Sequence, residues 1–164
     1  MASSETLFVG LPFGNEYTGS NYASLGARNG HPTLDFDDTT DETAIWTGVL
    51  PTKYSGNGIT ILIRANAASA TSGNYIMTAA IERIDTGTLD IDADSFASSG
   101  SATVACSGTS GINTETSISF ASGAAMDSLA AGETFRLKIT RNSSSGSDTV
   151  VGDMRVMSVE IRET

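Results

Sequence analysis

The side chains able to do chemistry here are two groups of carboxylates, one cysteine and one histidine. Asp90-x-Asp92-x-Asp94 has the opening ligand spacing of an EF-hand loop, and oxygen-rich loops are what Ca²⁺ selects. The pattern then breaks, because Ser95 stands at the turn-glycine position and Ser101 where the bidentate glutamate belongs. This spacing predicts a solvated acidic loop rather than a metal site. Asp35, Asp37, Asp38, Asp41 and Glu42 form the second group. Two acids facing each other across a cleft can hydrolyse a glycoside, but no linear spacing sets Asp37 opposite Asp90. His31 lies in a Gly-Asn-Gly-His-Pro loop, and no G-x-S-x-G elbow supplies it with a nucleophile. Cys106 follows Val104 and Ala105 and reads as a small buried hydrophobe rather than a reactive thiol. One Cys and one His do not complete a tetrahedral zinc set without carboxylates. Neither the G-x-G-x-x-G nor the G-x-x-x-x-G-K-[ST] pattern occurs. The expectation is no enzyme: no catalytic residue, no cofactor and no metal.

What remains is recognition by aromatic rings. Residues 1–41 have no sustained periodicity but carry Phe8, Phe13, Tyr17, Tyr22 and Phe36 among five glycines. An unstructured polar tail would not hold so many rings. The segment reads as an extended, irregular N-terminal arm lying over a surface, with Phe8, Phe13, Tyr17 and Tyr22 as partner-binding anchors. A carbohydrate-binding module is the rival reading, since sugars stack on exposed tyrosine or tryptophan. Trp46 sits mid-strand, where a core position is the default, leaving Tyr17, Tyr22 and Tyr54 for that role.

These residues must be positioned by strands. Serine (22) and threonine (21) exceed a quarter of the 164 residues, and 17 glycines add turns, which favours β-structure over helix. Thr43–Leu50 reads as a first strand stopped by Pro51. Ile59–Arg64 places Ile59, Ile61 and Ile63 on one face. Tyr75–Ile84 is a long strand and Ala102–Cys106 a short one. Ile112–Ala121 alternates, with Ile112, Thr114, Thr116, Ile118 and Phe120 sharing a face. Phe135, Leu137 and Ile139 alternate with Arg136, Lys138 and Thr140. Val150–Arg162 closes the chain, its parity shift at Val156–Met157 suggesting a bulge or a strand buried on both faces. This spacing marks an antiparallel sandwich or barrel over residues 42–164 with under about 15% helix. Ile61, Ile63, Ile118, Phe120, Phe135, Leu137 and Ile139 are its expected core. A net charge of −10 disfavours nucleic acid and anionic membranes as partners. The expectation is also of no membrane span and no signal peptide.

Two stretches add a resemblance. TAIWTGVLPTKYSGNGITILIRANAASATSGNYIMTAAIER (Thr43–Arg83) and MDSLAAGETFRLKITRNSSSGSDTVVGDMRVMSVEIRET (Met126–Thr164) are similar to a domain of tailed-phage structural proteins. That family has a strand ending in Leu-Pro, a Tyr-x-x-Gly turn, a hydrophobic strand and a Ser/Ala–Ser–Gly loop, in that order. This chain has Tyr75 and Met77 where the family's third strand commonly has Trp. The resemblance covers about residues 31–164. It implies a jelly-roll-like β-sandwich on the virion capsid surface, as a head decoration (cement) protein bound to the major capsid protein, with a tail-fibre or baseplate domain as the alternative. It maps no catalytic residue. A cement role further implies a homotrimer, since quasi-threefold positions on a shell select that symmetry. On this reading, removing Met1–Tyr22 leaves the sandwich folded and abolishes attachment.

Overall fold

A computed structural model describes residues 5–164. Its strands in chain order are β1 (Thr6–Gly10), β2 (Ser24–Arg28), β3 (His31–Phe36), β4 (Thr43–Val49), β5 (Ile59–Ala67), β6 (Asn74–Ile84), β7 (Gly100–Ala105), β8 (Thr114–Phe120), β9 (Thr134–Arg141) and β10 (Met154–Glu163). Among the described residues helix is confined to two single 3-10 turns, Pro12–Gly14 and Ala124–Met126, about 4% helix, well under the expected ceiling. One sheet has the order β2-β3-β10-β5-β8, and β1 extends it by pairing with the C-terminal half of β10. The other has the order β4-β9-β6-β7. Every strand pairing is antiparallel, and the two sheets stack as a jelly-roll-like β-sandwich.

The core follows from period-2 alternation. Ile59, Ile61 and Ile63 of β5 are fully buried, and so are Phe135, Leu137 and Ile139 of β9. Each contributes roughly 1.5–3 kcal/mol by leaving water. Thr116, Ile118 and Phe120 of β8 join them, but Ile112 lies outside that strand and is exposed. Leu62 faces the opposite side from Ile61 and is still buried within the single chain, so its apolar character calls for no partner. The parity shift in the last strand is a bulge. The register of β10 against β5 slips between Val156 and Ser158, displacing Met157 from the ladder.

The first 41 residues differ from the extended arm expected of them. They supply β1, β2 and β3, three strands of the same sheet. Leu7, Ala23, Leu34 and Phe36 belong to the common core. Sequence periodicity missed these strands because they are short. In β1 the register also slips between Thr6 and Phe8, which breaks the alternation that would have marked it. The longest irregular stretch, between β1 and β2, crosses the edge of the other sheet. Glu16 bridges Ile45 and Tyr22 bridges Thr43, both on β4. This cover satisfies backbone groups that an open edge strand would leave available for aggregation.

Candidate functional site

Trp46 anchors that crossing segment. The indole is buried, as its mid-strand position predicts, and its Nε1–H donates to the Leu11 carbonyl at 2.9 Å. Gly14 lies against the ring, where a Cβ would stand 3.2 Å from Cδ1. Asn15 Oδ1 accepts the Ile45 N–H at 2.9 Å, and the Glu16 N–H donates to the Ile45 carbonyl at 2.7 Å. The Glu16 carboxylate also accepts Arg136 Nη2 at 3.1 Å, and Thr47 Oγ1 donates to it. The backbone between Leu11 and Tyr22 is therefore tied down at several points, and its rings stand on a fixed base.

Three of those rings face solvent. Phe13 is 75% exposed, Tyr17 72% and Tyr22 37%. The Tyr17 and Tyr22 rings lie 4.5 Å apart between centroids, tilted by 56°. With Pro12, Asn15 and Leu25 they line a groove of about 220 Å³. Tyr17, first by hydrogen bonding and then by charge, raises the Tyr22 phenol above its ordinary 10.0. Apolar ring faces beside an amide and two phenol hydroxyls can hold a flat, hydroxylated ligand through stacking and directed hydrogen bonds.

Of the four expected anchors, the structure brings together Phe13, Tyr17 and Tyr22. Phe8 stands elsewhere. It is half-buried against the core, with its ring edge-on to Phe135 at 5.3 Å and 85°. Tyr54 is also no surface contact, being buried with its hydroxyl donating to the Asn57 carbonyl.

The carboxylates have other uses. Asp90 and Asp94 accept the N–H groups of Asp92 and Ser95, bracing their own turns. The acidic cluster that does form joins Asp37 and Asp38 to Asp153, with ligand oxygens within 4.8 Å of one another. Asp37 accepts the Thr39 and Thr40 N–H groups at 2.7 and 2.8 Å, and Asp38 accepts that of Gly152. Hydrogen bonds from Thr39 hold Asp37 below the ordinary carboxylate range, whereas burial and then the Asp37 charge push Asp153 above it. Linear spacing does not mark Asp153, which lies more than a hundred residues from Asp37 along the chain. The arrangement braces loops through backbone N–H groups. His31 is exposed and lines a cavity with Arg28 and Asn66. Cys106 is a half-buried free thiol packed on the core.

No protein-family model matches the chain, and no curated protein matches it in sequence. Solved structures do match in shape. A family 35 carbohydrate-binding module from an environmental isolate aligns at TM-score 0.52 and 11% identity, over 98% of this chain and 90% of that one. A xylan-binding domain from Paenibacillus barcinonensis aligns at 0.49 and 16% identity, over 92% of each chain. The adhesin domain of Lys-gingipain from Porphyromonas gingivalis aligns at 0.46 and 14%, over 98% of this chain and 99% of that one. At such identities the first of these likenesses shows a shared β-sandwich fold.

Proposed function

We propose that this chain is a non-catalytic recognition module, a carbohydrate-binding β-sandwich whose contact surface is the Phe13–Tyr17–Tyr22 groove. The observation that carries it is the tilted tyrosine pair, Tyr17 largely and Tyr22 partly exposed, mounted on a segment pinned by Trp46, Asn15 and Glu16. Exposed rings on a fixed backbone lose little conformational entropy on binding, which favours a stacking platform over a merely tolerated apolar surface. The fold shared with a carbohydrate-binding module supports the same ligand class. The test is co-sedimentation with insoluble polysaccharides together with a glycan array, using the full chain and a Tyr17→Ala/Tyr22→Ala variant. Saccharide binding that the variant loses while keeping its thermal midpoint is the expected result. Binding unchanged in a folded variant, or no glycan bound by the parent, defeats the reading.

A second reading is favoured by the resemblance of Thr43–Arg83 and Met126–Thr164 to tailed-phage structural proteins, stretches that hold β4–β6 and β9–β10. Here the same groove docks on the major capsid protein, and the chain decorates the head as a trimer or serves in a tail fibre or baseplate. Light scattering for mass and co-sedimentation with capsids distinguish the two. Capsid binding that the tyrosine variant loses, without glycan binding, selects the virion role.

A further inference from the structure

We propose a second, separate binding site on the outer face of the six-stranded sheet, built around Arg28, that takes the carboxylate of a small hydroxylated acid such as a sugar acid. It stands on its own observations and does not depend on the aromatic groove.

Arg28 is the exception among the arginines of this acidic chain. There are seven. Six of them hold a carboxylate within 4.0 Å. Arg28 holds none among the described residues, although acidic residues outnumber basic ones by 19 to 9. Its guanidinium is nevertheless fixed. Nη1 donates to Asn66 Oδ1 at 2.9 Å, to the Ala67 carbonyl at 2.6 Å and to the Ser110 carbonyl at 3.1 Å, and Nη2 donates to Ser110 Oγ at 3.2 Å. Those bonds occupy one end of the fork. The Nε–H and the second Nη2–H, which together form the edge that meets a carboxylate side-on, have no partner among the described residues. Gly111 lies over the face of the guanidinium, where a Cβ would stand 3.4 Å from Nη2, 3.6 Å from Cζ and 3.7 Å from Nε, so glycine keeps the cavity beside Arg28 open.

Arg28 lines a cavity of about 430 Å³, within the roughly 300–1,000 Å³ range of small-molecule sites. Its other walls suit a hydroxylated anion. His31, the sole histidine, sits across the turn from Arg28 and adds a second nitrogen group. Buried Asn66 accepts from Arg28 through Oδ1 and donates Nδ2 to Asn113 Oδ1 at 2.8 Å, which fixes the Asn113 amide in the cavity wall with its Nδ2–H groups unpartnered among the described residues. The β10 bulge brings Met157 to the same cavity as an apolar wall. A fixed guanidinium with a free side-on edge is pre-organised for bidentate carboxylate binding, which a lysine point charge would not reproduce.

The experiment is a titration of the full chain with D-galacturonate, galactose and acetate, followed by backbone amide and His31 NMR shifts, with melting as the folding control. Galacturonate should give saturable shifts around Arg28, His31 and Asn66, and bind at least about tenfold more tightly than galactose or acetate. Arg28→Gln should abolish the response. Because Arg28 also braces Ala67 and Ser110, Gly111→Val is the second variant, which narrows the cavity over the guanidinium and removes no hydrogen-bond partner of Arg28. It should weaken galacturonate by about tenfold or more at an unchanged melting temperature. No saturable shift with galacturonate, equal binding of galactose, acetate binding as tightly as galacturonate, or full affinity in a folded Gly111→Val variant overturns the proposal.

Discussion

Arg141 and Asp148 form a salt bridge at 2.8 Å with their side chains 0% and 2% exposed. Asp148 Oδ2 accepts Arg141 Nε at 3.1 Å and also the Ile76 N–H at 3.1 Å. The remaining guanidinium hydrogens go to the carbonyls of Phe36, Gly152 and Val150. One side chain thus joins the end of β3 to the loop before β10 while β9 carries it. A buried charge is tolerated here because every donor has an acceptor.

Asp148→Ala should therefore be far more damaging than its surface-turn sequence context implies. Removing one partner strands a buried guanidinium and costs about 3–5 kcal/mol. Urea unfolding of the variant should show a lower midpoint with an unchanged slope. The double variant Arg141→Met/Asp148→Ala should recover part of the loss, since no unpaired charge is then buried.

Phe135→Ala should cost about 3–5 kcal/mol by opening a cavity between the sheets. Phe135 is fully buried, holds Phe8 edge-on, and fills the space above Gly48, where a Cβ would stand 2.8 Å from its Cζ. Chemical denaturation checks this. A cost below about 1 kcal/mol would mean that Phe8 collapses into the space.

Acid should weaken the fold through Glu160. Its hydrogen bond from Arg162, with those from Thr6 and Arg64, holds the carboxyl at about 2, below its ordinary 4.5. The folded value lies below the unfolded one, so the stabilisation is fully present above about pH 4.5 and is lost as pH falls towards 2. By linkage it amounts to on the order of 3 kcal/mol. Asp153 and Glu42, raised by burial, act in the opposite sense, since protonation relieves them. A Glu160→Gln variant isolates the effect. Its stability gap from the parent should be wide at pH 7 and close by about pH 2 in melts across that range.

Deleting residues 1–22 should unfold the protein, contrary to what an independent arm predicts. The cut removes β1, exposes the β10 edge from Val159 to Arg162, and takes away both buried Leu7 and the Leu11 carbonyl that receives the Trp46 N–H. Circular dichroism and a melt report the outcome. A cooperative transition retained in the truncated chain would refute this account of β1.

Alternation over six or more residues was legible in the sequence because it is a local property of a strand with one face in the core. The spacing of Phe135, Leu137 and Ile139, the burial of Trp46 and the irregularity at Val156–Met157 all needed only near neighbours to be read. The exposed rings of Phe13, Tyr17 and Tyr22 were legible for the same reason, through their turn-forming surroundings. Tertiary structure alone decided whether a ring is a contact or a core residue. Phe8 and Tyr17 have similar sequence contexts, yet Phe8 lies in a strand against β10 and packs on Phe135, whereas Tyr17 lies on the β4 edge and faces water. It also decided which charges meet. Asp153 reaches Asp37 and Asp38, Asp148 reaches Arg141, which also bonds the Phe36 carbonyl, and Arg28 reaches no carboxylate among the described residues. Such pairings depend on which strands become neighbours in a sheet. Their order, β2-β3-β10-β5-β8, joins segments from opposite ends of the chain, and no local pattern encodes that order.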